Sequence, residues 1–543
     1  MSEVRSLVDE FVDWHLAEHP VGASALGAPG FDDRLGDFSA EAIEAREGQE
    51  RAWLERFEAL PENLPLEDSL DVGLVLAELR GAAILHDWAG WRRSADGYLS
   101  ACLYGTFFLF LHRLRPDAEL VEDAVSRLAE VPTVLDAARS NLDPSLADPA
   151  LVRRALGMCQ AGVAYFREFL PVDVVDAELR DRLVAAGDAA ASHFEAFAAF
   201  LTDFAERATG SFALGEERYS ALLRDREGLG YGLGGLHERG LGAYDALAAD
   251  MSERALAIEG SSDFRAVIRQ VNESHPATPE EMRERYDEWT ARARAFLAER
   301  DLVSFPDGEQ CNVVASPPFQ RPMLAVASYS RPPAFTASRV GHFFVPFPPE
   351  GAAPDEVQQR LAMNSHALIP SIAVHEAYPG HHWHLAVAAG HPSRARKVFG
   401  TAYFAEGWGL YTEQMMREQG FFADPTVELL QLDMRLFRAA RIVVDTALHG
   451  GDMDVDAAVA YMRDRAGLTE PVARAEVARY CAWPTQAPSY LTGSLEIERI
   501  RDRYLAENKG DLKSFHDTIA ASGVLPLALA ERAVMEGPTP VLA

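Results

Sequence analysis

The 543-residue sequence is poor in lysine, in cysteine and in long apolar runs. Lysine occurs only at Lys397, Lys509 and Lys513, and every other basic side chain is arginine. Acidic residues outnumber basic ones by 83 to 51, a formal net charge of −32. That excess repels phosphate backbones and anionic headgroups, which argues against nucleic acid and an anionic membrane surface as partners. The four cysteines (Cys102, Cys159, Cys311 and Cys481) lie far apart with no CxxC pair. They fit reduced, partly buried thiols better than a disulfide frame or a thiolate metal site. The longest apolar run, Tyr104 to Leu111, is too short to span a bilayer. Met1 to Arg5 lacks the charged-then-apolar pattern of a signal peptide. These features predict a cytoplasmic protein with no membrane partner, and they are silent on oligomeric state.

What is present is helix. Val4 to Leu16, Ala40 to Leu60, Leu66 to Trp88, Ala118 to Ser140 and Pro149 to Phe169 repeat apolar residues every three or four positions. Pro132 is expected to divide the fourth of these into two helices. Ala185 to Ala205, Leu241 to Ile258 and Pro279 to Arg300 continue the pattern. From Asp301 to Phe347 prolines and β-formers take over, and three short antiparallel strands are expected: Cys311 to Val314, Leu324 to Tyr329 and Gly341 to Phe347. The length and this shift predict a helical scaffold lobe over 1–300 and a catalytic lobe over 301–543, or one continuous two-lobed domain.

The chemistry concentrates at Ser371 to Trp383, which contains His375-Glu376-Ala377-Tyr378-Pro379-Gly380-His381-His382. A His-Glu pair followed by another histidine is how zinc hydrolases place two ligands and a general base on one helix. Here the residue four after His375 is Pro379, which binds no metal. In an unbroken helix His381 would point about 240° away from His375, and His382 would sit about 10 Å along the axis. Neither pair could close on an ion with bonds of about 2.0–2.1 Å. Pro379 cannot donate to the preceding turn, and Gly380 relaxes the backbone. A bulge at Pro379-Gly380 that absorbs two residues would bring His381 to the position that i+4 normally occupies. Glu406 is the expected third ligand. It lies on a second helix with Gly407 and Gly409, whose cost of about 1 kcal/mol each implies close approach to another backbone. Glu413, on the same face, is the weaker candidate and reads as a supporting or solvated group.

HEAYPGHH resembles the motif of the bacterial domain of unknown function 885 family, a zincin-like group related to gluzincin metallopeptidases. The segments His19 to Gly27, Gly210 to Tyr219, the Glu406-Gly407-Trp408 stretch and Pro484 to Gly493 also resemble that family. The resemblance implies a mainly α, multi-helical zincin-like metallohydrolase with a small antiparallel β-sheet before the active-site helix. It implies the second ligand on His381 rather than His382, one Zn²⁺ per chain, and Glu376 as general base to a zinc-bound water. Tyr490 corresponds to an oxyanion donor. Arg441, Asp445 and His449 share one face of an apolar helix, so His449 is a further candidate donor. Tyr329 and Arg331 on the sheet, with Arg441 and Gln486, are the substrate-binding candidates. The implied activity is cleavage of amide bonds in short peptides or small aminoacyl amides. Two alternatives stand beside it: a zinc hydrolase of a non-peptide ester or conjugate, and a non-catalytic helical binding protein with a vestigial metal site.

Overall fold

The three- and four-residue apolar spacing winds the first three hundred residues into helices, seen in a computed structural model that describes residues 3–172, 174–321 and 326–538. Glu3–Glu18, Ala40–Glu58, Leu66–Trp88 and Pro279–Glu299 fall where the periodicity puts them, and Ala177–Ala205 and Leu233–Glu259 each begin eight residues before the expected start. Pro149–Ala164 continues into a wider π turn, Tyr165–Phe169. Pro132 does not divide its helix. Asp117–Asn141 runs through it. Val131, Val134 and Leu135 around the proline are fully packed, chiefly against Ala177–Ala205, and that burial outweighs one missing backbone hydrogen bond.

Two apolar cores result. One gathers residues from Leu35 to Ala208, mostly on Asp96–His112, Asp117–Asn141, Pro149–Ala164 and Ala177–Ala205. The larger one joins the N-terminal helices to the C-terminal half, from Val8 to Val534. Phe11 stacks on Phe399 at 5.5 Å, and Arg396, buried, holds Asp71 at 2.7 Å across the same junction. No helix among the described residues is long and apolar enough to cross a membrane.

The three strands are β1 (Gln310–Ala315), β2 (Ser328–Ser330) and β3 (Val340–Val345). The sheet is mixed rather than antiparallel: β3 is central, parallel to β1 and antiparallel to β2. Phe343, Phe344 and Val345 make β3 the most buried strand, so it takes the place where both ladders are satisfied. Residues 316–339 are long enough for a parallel return, which needs a dozen or more. Of the expected strand Leu324 to Tyr329, only Ser328 and Tyr329 are in β2, and Leu324 and Ala325 lie outside the described residues. Five helices then build the site: α1 (Ile369–Glu376), α2 (His381–Ala388), α3 (Ala402–Glu418), α4 (Pro425–Gly450) and α5 (Ser489–Ala506).

Candidate metal centre

Backbone register explains how two histidines six apart meet. The helix stops at Glu376 and restarts at His381. Across the break, the Gly380 N–H donates to the Val374 carbonyl at 3.1 Å and the Trp383 N–H donates to Ala377 at 3.2 Å. Both bonds reach back six residues where a helix reaches back four, so two residues are absorbed, as the spacing requires. A Cβ on Gly380 would lie 1.9 Å from the His375 carbonyl oxygen, so only glycine allows this closure. Trp408 of α3 donates its indole N–H to the Pro379 carbonyl at 2.8 Å and ties the break to the next helix.

The side chains converge. The His375 and His381 rings stand edge to face with centroids 4.7 Å apart. Their Nε2 atoms lie 3.6 Å and 3.5 Å from one Glu406 oxygen. Among the described residues, this trio forms the one cluster of three such groups able to hold a metal ion, with ligand atoms within 4.8 Å of one another. Tetrahedral bonds of about 2.0–2.1 Å put ligand atoms about 3.3 Å apart, so the spacing fits zinc after a small contraction. α3 comes close enough because it carries two glycines. A Cβ on Gly409 would meet the His375 ring at 2.5 Å, and one on Gly407 would meet the Gly493 Cα of α5 at 2.5 Å.

Glu413 is not in the trio. Its Oε1 faces His375 Nδ1 at 2.8 Å and its Oε2 accepts the Ser371 hydroxyl at 2.5 Å. A carboxylate there accepts the Nδ1 proton and leaves Nε2 as the ring's donor atom, the arrangement that orients metal-ligating histidines. Burial works to discharge the His375 imidazole, but the hydrogen bonds with Glu406 and Glu413 outweigh it and push its pKa up to about 10. Burial raises the Glu406 carboxyl, yet His375 and His381 hold it well below the usual carboxylate range. The donor set of two imidazoles and one carboxylate fits a divalent cation.

His382 is held elsewhere. It is fully buried, with Nε2 on Glu309 at 2.9 Å and Nδ1 on the Tyr329 hydroxyl at 3.0 Å. Both nitrogens are occupied, so it braces the motif against β1 and β2. Glu309 also accepts from Tyr378 at 2.6 Å and pairs with Arg294 at 2.8 Å. Neither Glu309 nor Ser371 stood out in the sequence. Glu309 precedes β1 in a turn with no motif, and Ser371 reads as one more small residue on the helix lead-in.

A cavity of about 560 Å³ opens onto the trio and is also lined by Glu376, Tyr329, Tyr490, Arg438, Arg441 and Glu476. Burial raises the Glu376 carboxyl, with His381 and His375 opposing. Burial and the nearby Glu406 also raise the Tyr490 phenol, which keeps it a proton donor at neutral pH. The Arg441 and Arg438 guanidinium carbons lie 4.8 Å and 5.5 Å from the centre of the Tyr490 ring.

Three candidates fall outside this cavity. His449 is no donor to it: fully buried, its Nδ1 accepts the Leu214 N–H at 3.3 Å and its Nε2 donates to the Tyr480 carbonyl at 3.0 Å. Nor does it pair with Asp445, which accepts from the Tyr219 hydroxyl at 2.6 Å and from the Thr485 N–H at 3.2 Å. The four-residue spacing put these groups on one face, but that face packs against other elements. Gln486 is turned to Arg479, which donates to its carbonyl oxygen. Arg331 lines an adjoining cavity of about 500 Å³ among Tyr104, Phe107 and Phe108, which shares only Ser328 and Tyr329 with the first.

A family profile for bacterial proteins of unknown function, DUF885, matches residues 20–534. The chain belongs to that family. A candidate lipoprotein of unknown function from Shewanella oneidensis has a similar solved structure, with a TM-score of 0.81 over 98% of this chain and 99% of that one. A candidate lipoprotein from Colwellia psychrerythraea gives a TM-score of 0.78 over 98% of each. Both are 19% identical to this chain, so the likeness is one of fold. A search of curated proteins gives no match.

Proposed function

We propose that this DUF885 protein is a zincin-like, zinc-dependent hydrolase that cleaves amide bonds in short peptides or small aminoacyl amides. The observation that carries the reading is the convergence of two imidazole nitrogens and one carboxylate on a cavity that also presents Glu376 and Tyr490. His375, His381 and Glu406 would hold one Zn²⁺ per chain and leave a coordination position open. Bound there, the ion supplies Lewis acidity that polarises a carbonyl and acidifies water. Glu376 takes a proton from the attacking water as the C–O bond forms. It returns that proton to the leaving nitrogen as the C–N bond breaks, giving a carboxylic acid and an amine. Its raised pKa suits both transfers. Tyr490 donates to the oxygen that gains negative charge. A cavity of about 560 Å³ is of the size that encloses small ligands, which favours short substrates.

The test is elemental analysis of the purified chain, of His381→Ala and of His382→Ala, followed by a screen of short peptides and amides. The expected result is one zinc per chain, lost with His381→Ala and kept with His382→Ala. Glu376→Gln should keep the metal and lose about 10²–10⁴-fold in rate. No metal in any form would overturn the reading. We also propose a cytoplasmic location, without nucleic-acid or anionic-membrane partners, on the acidic charge and on four free cysteines, three of them buried. The relatives described as candidate lipoproteins point the other way, and recovery of the native protein in the envelope fraction would decide for them.

A further inference from the structure

The wall of the cavity beside the metal trio carries charge that the proposed chemistry does not use. Arg438 and Arg441 sit three apart on α4, so both guanidinium groups face the same side. Arg441 is 7% exposed; it pairs with Glu476 at 2.9 Å and donates its Nε to the Tyr480 hydroxyl at 3.2 Å. Its remaining nitrogen, Nη1, is buried without a hydrogen-bond partner among the described residues. Arg438 donates to the Met434 carbonyl at 3.2 Å, but its buried Nε has no acceptor. Among the described residues it has no carboxylate within ion-pair distance. Asp433, also on the cavity, is taken by Arg265 at 2.6 Å. Glu476, shared with Arg479 at 2.9 Å, pairs with Arg441 and leaves Arg438 without an ion-pair partner among the described residues. Arg441 is buried and Arg438 half-buried, and cations held out of bulk water are paired as a rule, so this wall suits an anion that arrives with the ligand.

The shape of the unmet demand narrows the anion. Both guanidinium groups line the cavity beside the Tyr490 ring, and two such forks suit the two oxygens of one planar carboxylate. Around them the wall is apolar: Met434, Phe437, Leu468 and Val472. Phosphate would bring more charge than the single unanswered cation balances. We propose that Arg438 and Arg441 anchor the free α-carboxylate of a peptide, so that the protein acts on carboxy-terminal ends whose last side chain is apolar. This rests on the hydrolase reading for the cleavage step but not for the binding step. It makes the activity exopeptidase-like: water adds to the carbonyl near the chain end, and the released amine carries the anchored carboxylate.

The test compares acetyl-Ala-Ala-Leu with the same peptide amidated at its C-terminus. With the zinc-loaded chain, kcat/KM should fall about 10- to 100-fold on amidation, the loss expected for hydrogen bonds to a charged group. Calorimetry on the chelator-treated, metal-free chain should show the same preference for the acid, because arginine and not the ion holds it. Arg438→Met should remove much of the preference by weakening the acid more than the amide. If that variant misfolds, the acid–amide comparison on the wild type decides alone. Equal cleavage of acid and amide would overturn the anchor while leaving the hydrolase intact. Preferred binding of the acid with no cleavage of either would leave the anchor and remove the hydrolase. Equal binding or none to the metal-free chain would overturn the anchor outright.

Discussion

Glu413 and Glu406 share a helix face, and replacing each in turn separates the group proposed to hold a metal from the one that holds His375 in place. Glu413 is 3% exposed and spends both oxygens on His375 Nδ1 and the Ser371 hydroxyl. Glu413→Ala leaves Nε2 of His375 on the cavity but frees its ring to turn. Loss of such a supporting carboxylate costs 10–100-fold in metal affinity, about 1.4–2.8 kcal/mol. It also strands two buried donors, each at about 1–3 kcal/mol of stability. Glu406→Ala removes one of three donor atoms and should abolish stoichiometric zinc. It strands no hydroxyl and should unfold later than Glu413→Ala in the presence of chelator. Competition against a chromophoric chelator reads the affinities, and urea unfolding of the metal-free proteins reads the stabilities. Zinc lost with Glu413→Ala and retained with Glu406→Ala would refute the assignment of the two carboxylates.

Two further outcomes follow from packing and from burial. Gly493→Ala would set a Cβ 1.9 Å from the Tyr403 carbonyl oxygen and force α5 from α3. Overpacking of this kind costs about 1–3 kcal/mol. Because Glu406 and Tyr490 ride on those two helices, zinc affinity should fall with stability, and an unchanged urea midpoint would count against the close approach. His516 lies buried between the Tyr411 hydroxyl and the Leu302 carbonyl, each at 2.8 Å, and burial pushes its pKa down from 6.5 to about 4. At pH 7 the ring is neutral folded and unfolded. Below 6.5 the unfolded chain takes up a proton that the fold refuses until about pH 4, so stability drains across that window. By pH 5 this one group costs up to about 2 kcal/mol. His516→Gln, which does not titrate, should narrow the difference in stability between pH 7 and pH 5 by that amount, and an unchanged difference would refute the cause.

How much of this could be read beforehand depended on whether a signal was local. Helices announce themselves by apolar spacing, and most boundaries followed within a few residues, although Ala177–Ala205 and Leu233–Glu259 begin eight residues early. Pro132 misled because its local cost is real, while the burial that overrides it comes from a helix some fifty residues away in sequence. The sheet misled for a related reason. Strand propensity says which residues extend, but which strand lies in the middle depends on which is most buried. Phe343 to Val345 decided that against sequence order.

The site divides along the same line. The meeting of His375 with His381 was legible because the impossibility of an unbroken helix there is a matter of geometry within seven residues, and Glu406 because the helix glycines beside it implied close approach. Of the groups that fix them, only Glu413 was legible, as a supporting carboxylate on the same helix face. Glu309 and Tyr329 reach His382 from 73 and 53 residues away, and Glu413 and Ser371 meet across two helices. His449 shows the converse error: a correct inference about burial and shared face, attached to the wrong neighbours. Arg441 was visible as a substrate-binding candidate, without its neighbour Arg438. What makes the pair informative is that Arg438 has no carboxylate within ion-pair distance among the described residues, and that appears only when every partner has been placed. Motifs of this kind therefore expose the atoms that touch a reacting bond before they expose what selects the substrate. The proposed ligands sit in one continuous stretch plus one helix, whereas the proposed anchor is defined by which partners from other elements do or do not reach Arg438 and Arg441.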